Sequence, residues 1–329
     1  YKEFIFKNFS RYDVDFNEDL LLVSSSANKF IEKIEEVTNE QIELTKYFIK
    51  NEEWDFLFSI FRALDVIQHF AFNNVSFVIK HYKRVDGLID NLIATITHRY
   101  RKVKVIIVSD HGFKRVYKRF YVNNWLIKKG YLQLKNKKFS LLTLGIDAEK
   151  IRALFYKLGL KSIAHNIERS NIIKCILKII PSSSHEYLFN ADWSKSKAFY
   201  YRGSSGLIKL NIIGREPYGS VNITEAPFLA KKIKNELKQV VDPASKCKVF
   251  KNIITKYELG ITARDFPELI LISNNYELLD YDKSSFIFKY ITHRPGDHDL
   301  YGIFMCNFKM LLKVDCAWDV GKLLKILLT

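Results

Sequence analysis

Residues 103–108, Val-Lys-Val-Ile-Ile-Val, are a nearly unbroken β-branched run, and Ser109-Asp110-His111-Gly112-Phe113 follows at once. Such a run suits a strand covered on both faces, and strands of that kind belong to parallel sheets. Ahead of it, apolar residues recur at Val85, Leu88, Ile89, Leu92, Ile93 and Ile96, which predicts one buried stripe of a helix over 78–99. A helix feeding a buried strand that ends in a polar, Gly-containing turn is the grammar of an α/β sheet, whose ligands gather at the C-terminal ends of its strands. The expected fold class is α/β: a three-layer α/β/α sandwich with a mostly parallel central sheet and a helical insertion.

Other segments fill in that outline. Residues 20–23 and 54–61 read as further strands, and Thr38 with Gln41 reads as a capping box opening a helix that reaches about Lys50. Asn123 is a candidate helix N-cap, and Lys128, Lys129 and Gly130 are stop signals for that helix. Residues 135–196 lack a strong strand and contain a Ser-rich break at 181–184, so they read as a helical insert or lid. Strand patterns return at 207–213, 268–273 and 303–307, with an amphipathic helix over 224–240. The expected organisation is 1–134 as the first part of the α/β core, 135–197 as the insert and 198–329 as the second part.

No apolar stretch approaches the roughly 20 residues that a bilayer span needs. Cys175, Cys247, Cys306 and Cys316 show no metal-binding spacing and sit in apolar contexts, so they read as reduced, packed thiols of a cytoplasmic protein. The net charge of +16 favours anionic partners, phosphate-bearing molecules and nucleic acid alike, but the lysines are spread along the whole chain. No nucleic-acid-binding signature accompanies them.

Three segments carry candidate chemistry. Asp110 and His111 offer a hard oxygen and a borderline nitrogen to one divalent cation, and Gly112 lets the backbone turn away. Asp65 and His69 lie one helical turn apart, so carboxylate and imidazole share a face. His298, in the loop Gly296-Asp297-His298 before an apolar run, can complete a three-ligand site with an open position. Each has a plain reading as well: a turn, a solvated helix face, an ordinary loop histidine. Arg215, in Gly214-Arg215-Glu216-Pro217, suits bidentate phosphate contact or an ion pair that fixes a turn.

The order of the segments is more specific than any one of them. Asp65-x3-His69 is followed by SDHGF at 109–113, by Asn123-Asn124-Trp125 with Gly130-Tyr131-Leu132, by Ala191-Asp192-Trp193, by Gly214-Arg215-Glu216-Pro217, and by Gly296-Asp297-His298 with Gly302. This succession is similar to the phosphohydrolase and phosphomutase proteins of the alkaline phosphatase superfamily, closest to its type I phosphodiesterase/nucleotide pyrophosphatase branch.

The resemblance implies a mixed α/β sheet and two divalent cations in one cleft, zinc foremost, with manganese or iron as alternatives. It places Asp65, His69 and His298 on one metal and Asp110 and His111 on part of the second. Its implied substrate is a phosphodiester, pyrophosphate or phosphomonoester. The nucleophile such proteins use, a Thr or Ser upstream of the Asp-x3-His segment, is not found in its expected context. With Tyr1 in place of an initiator Met, that segment is expected outside this chain, and the chain alone is expected to be inactive. The competing expectations are a phosphomutase, a non-catalytic metal-binding module and a nucleic-acid-binding module.

Overall fold

The computed structural model describes residues 2–9, 27–100, 102–135, 190–201, 206–282, 286–291, 294–310 and 312–328. The strand expected at 20–23, most of the insert expected over 135–197, and Cys175 lie outside the described residues. The chain divides into two compact units, Tyr1–Arg115 with Thr292–Thr329, and Val116–Ile291.

In the first unit, α1 (Lys2–Asn8) precedes three packed helices, α2 (Ala27–Asn51), α3 (Ala63–Ala71) and α4 (Val75–Arg99). Two short antiparallel ladders follow. β1 (Ile106–Val108) pairs with β11 (Phe304–Cys306), and β2 (Gly112–Arg115) pairs with β10 (Gly296–Asp299). A final helix, α7, spans Ala317–Leu328. Ile34 and Val37 of α2 pack on Ala63, Val66 and Ile67 of α3, and Ile42, Ile49 and Leu92 form a second small cluster.

The second unit holds a three-stranded sheet in the order β8–β3–β9, from Tyr276–Leu279, Lys118–Tyr121 and Phe288–Tyr290. It also holds a four-stranded antiparallel sheet in the order β4–β5–β7–β6, from Ala198–Tyr200, Leu207–Leu210, Leu269–Ser273 and Phe250–Thr255. Helix α5 (Val122–Lys128) ends in a Schellman motif. The Tyr131 N–H returns to Leu126 O and the Gly130 N–H to Ile127 O, with Gly130 at φ +76°. Helix α6 (Ala226–Lys238) lays Ala226, Ala230, Ile233 and Leu237 as one buried stripe against β6.

The mostly parallel central sheet expected from residues 103–108 is not found. Among the named strands only β3 and β8 pair in parallel; every other ladder is antiparallel and the strands fall into small sheets. The β-branched run reports strand propensity but not the direction of its partner. Only three of its residues pair, against a strand from the far end of the chain, and Val108 is exposed.

Three local expectations also change. Residues 54–61 form no strand among the described residues. Thr38 opens no helix; it lies within α2 and its hydroxyl donates to Ile34 O. Asn123 is not a cap. It is buried inside α5, where its amide donates to Tyr200 O and accepts from Tyr200 N–H. Cys247, Cys306 and Cys316 are thiols, but Cys247 and Cys316 are exposed rather than packed. No helix of the described residues is long and apolar enough to cross a membrane.

Candidate metal centre

Helix α3 buries Val66 and Ile67 on one side, which turns Asp65 and His69 together on another. The β2–β10 ladder brings the third member. His298 stands directly opposite Phe113, and Asp299 opposite Gly112. The ladder docks on α3 at Gly296, where a Cβ would fall 2.1 Å from Gln68 O, so this contact requires a residue without a side chain. Gly112 is equally constrained, since a Cβ there would lie 1.9 Å from Tyr301 O. Between the two ladders, the Ser109 N–H donates to Ile303 O, and Ser109 Oγ accepts from the Ile303 N–H at 2.7 Å. Residues 103–115 and 296–307 are thereby zipped together along their length.

The ligand atoms of Asp65, His69 and His298 all lie within 4.8 Å of one another. Asp65 Oδ1 is the hub: it is 3.3 Å from His298 Nε2 and 3.6 Å from His69 Nε2, and those two nitrogens are 3.1 Å apart. His111 Nε2 reaches the same oxygen at 3.9 Å and Asp110 Oδ2 at 3.5 Å. The His111 ring stacks on that of His298 with centroids 3.6 Å apart. All five residues of the first unit singled out in the sequence are thus gathered around one carboxylate, although the Asp110 side chain is 87% exposed.

Backbone carbonyls set two of the three imidazoles. His69 Nδ1–H donates to Gly296 O at 3.0 Å and His111 Nδ1–H to Gly112 O at 3.1 Å, which turns each Nε2 toward Asp65. Arg62 holds the other carboxylate oxygen, Oδ2, at 3.4 Å.

The electrostatics follow from this packing. Burial pushes the Asp65 carboxyl up, but His298, His69 and Arg62 together outweigh it and hold the group down at about 2. Burial, and next the charge of Arg294, push His69 down to about 4, so its ring is neutral at neutral pH. The hydrogen bond to Asp65 raises His298.

The donor set fits a divalent cation. Asp65 Oδ1 is buried, with the Nε2 atoms of His298, His69 and His111 within 3.3–3.9 Å of it. Two histidines and one carboxylate are the ligand count of an open catalytic site for zinc, and equally suit iron or manganese.

Arg215 is in the second unit, and all five of its N–H donors are taken by the chain itself. Nε donates to Glu216, Nη1 to Glu268 and Arg264 O, and Nη2 to Glu268 and Leu210 O. Glu268, fully buried, also receives Lys256 at 3.0 Å. The residues that sequence reading passed over are Phe113 and Gly296. Both lie inside quoted segments, but their roles depend on the pairing of β2 with β10, which no local pattern encodes.

The sequence matches the profile of the family described as type I phosphodiesterase / nucleotide pyrophosphatase over residues 4–276. Asp65, His69, Asp110 and His111 fall within that span and His298 beyond it. No curated protein and no solved structure matches the chain.

Proposed function

The chain belongs to the type I phosphodiesterase / nucleotide pyrophosphatase family, a family of phosphoric ester hydrolases, and from that premise we propose that it works on phosphodiester or pyrophosphate bonds at the cluster around Asp65. The observation that carries this reading is the convergence of the Nε2 atoms of His69, His298 and His111 on the buried Oδ1 of Asp65.

In this reading Asp65, His69 and His298 hold one divalent cation, and His111 with Asp110 provides part of a second site. A cation held there would supply Lewis-acid stabilisation of a phosphoryl oxygen. The chain's own contribution is orientation. Arg62 keeps Oδ2 occupied so that Oδ1 faces the histidines, and the carbonyls of Gly296 and Gly112 fix the tautomers of His69 and His111. Asp110, exposed at the edge of the cluster, remains accessible to a substrate or a second ion. Among the described residues no Ser or Thr hydroxyl bonds to a ligand atom of the cluster, and no nucleophile is assigned.

The test is metal content by mass spectrometry for the parent, Asp65→Ala and His298→Ala, with release of p-nitrophenol from bis(p-nitrophenyl) phosphate measured in parallel. The parent is expected to retain about one zinc, manganese or iron ion per chain, a stoichiometry taken from the three-ligand site, and both variants to lose it together with any hydrolysis. A parent that takes up no divalent ion from metal-replete buffer would sink the proposal.

A further inference from the structure

We infer that Phe113 is the positioning residue of the metal cluster: its ring sets the orientation of the His69, His111 and His298 imidazoles, that of His298 above all. All three meet the same phenyl ring edge-to-face, at centroid distances of 4.9 Å for His69, 5.5 Å for His111 and 5.3 Å for His298, and at interplanar angles of 77°, 61° and 81°. Phe113 is itself backed by Phe72, stacked at 6.3 Å. Edge-to-face pairing is the favoured geometry for aromatic neighbours, and each ring held this way loses freedom about its terminal torsion, which is otherwise broad.

The three histidines do not depend on Phe113 equally. His69 and His111 each have a carbonyl on Nδ1. His298 has none among the described residues; its ring is bounded by Asp65 and His69 at Nε2, by His111 stacked on one face and by Phe113 at the side. Phe113 and His298 are also direct partners across the β2–β10 ladder, so their side chains emerge on the same face of it. A single phenyl ring there does for His298 what a carbonyl does for the other two. An aliphatic side chain fills part of the space but presents no flat face to hold three rings at fixed angles.

This inference rests on the metal-site reading above, and its test separates the two. Zinc is titrated calorimetrically into the metal-free full chain for the parent, Phe113→Leu, Phe113→Met and Phe113→Tyr. Thermal unfolding of each metal-free form and the visible spectrum of each cobalt(II)-loaded form are recorded alongside. Phe113→Leu and Phe113→Met are expected to bind zinc about 10- to 100-fold more weakly, the usual cost of losing a group that orients a ligand, and to show a changed cobalt spectrum. Their metal-free unfolding should stay close to the parent's, and Phe113→Tyr should restore affinity and spectrum. Parent-like affinity and spectrum in the leucine and methionine variants overturn the inference. So does a loss of affinity that only tracks lost metal-free stability, or a failure of both variants to fold, because Phe113 is then a packing residue alone. A parent that binds no zinc or cobalt overturns the metal-site reading itself, and this inference with it.

Discussion

The two units of this chain differ in what they hold: one a large apolar core, the other the candidate ligand cluster. The second unit is built around one continuous core that runs from Phe120 through Leu210, Ile233 and Ile253 to Tyr276. It holds buried charges in matched groups: Glu268 with Arg215 and Lys256, and Asp242 with Lys118 at 2.6 Å. Among the described residues no group of metal-holding side chains occurs there. The first unit has two small apolar clusters, yet among the described residues it carries every candidate ligand. Fully burying an Ile or Leu contributes about 1.5–3 kcal/mol, so the large core does most of the holding. The cluster of polar rings instead is fixed by a handful of close backbone approaches, and such sites are sensitive to small displacements.

The widest contrast between the units comes from Glu268→Ala. It leaves two buried cations without their shared anion, which costs about 3–5 kcal/mol by the measure of broken buried pairs. Urea unfolding should register that loss while the metal content of the folded fraction stays at the parent's level. Loss of metal from chains that remain folded would show that the division between units is not real.

Gly296→Ala probes the opposite side. Its methyl group would overlap the Gln68 carbonyl and push β10 off α3, moving the carbonyl that fixes His69. Zinc affinity is expected to fall about 10- to 100-fold, read by competition with a chromophoric chelator. Parent-like affinity would mean that the close approach at Gly296 does not govern the site.

The mildest probe is pH. Asp65, at about 2, stays charged across the neutral range, and His69, at about 4, stays neutral. Of the three proposed ligands His298 alone is raised, first by its hydrogen bond to Asp65, so it is the one at which a proton competes with a metal. In the metal-free chain the ion pair of protonated His298 with Asp65 stabilises the fold below the unfolded histidine pKa, and that contribution fades as pH rises through the folded value. Metal binding has the opposite sign. Below the folded pKa of His298 its apparent affinity should drop about tenfold per pH unit, the signature of one displaced proton. Calorimetry in buffers of different ionisation enthalpy would count that proton; a count near zero or two would contradict this assignment of charges.

Much of the candidate site was legible because its candidate ligands come in short local patterns. Asp65 and His69 are one turn apart on a helix, and Asp110 with His111 ends a strand. Helices α4 and α6 and strands β5, β7 and β11 were visible in their periodicity as well. Pairing was not legible. Nothing in Val-Ile-Ile-Val specifies whether its neighbour runs parallel or antiparallel, and the expectation of a parallel sheet failed there. Asn123 resembled a cap because Asn is a good one, yet tertiary packing gave both ends of its amide to the Tyr200 backbone. Phe113 had the same problem, since its value lies in facing His298 across a ladder whose strands are far apart in sequence.

That separation governs when the site can exist at all. His69 and His298 are 229 positions apart, and the first unit is discontinuous, interrupted by the whole of residues 116–291. During synthesis, α3 and the Asp110–His111 segment are complete long before residues 296–307 leave the ribosome, so a growing chain carries an unfinished ligand set. Contacts of such sequence separation form late, after the entropy of closing the long loop has been met. The middle unit, contiguous in sequence, is free to condense first. On the proposed metal-site reading, metal capture would then be the last event of maturation, and a chain broken between His69 and His298 would have no three-ligand site to fill.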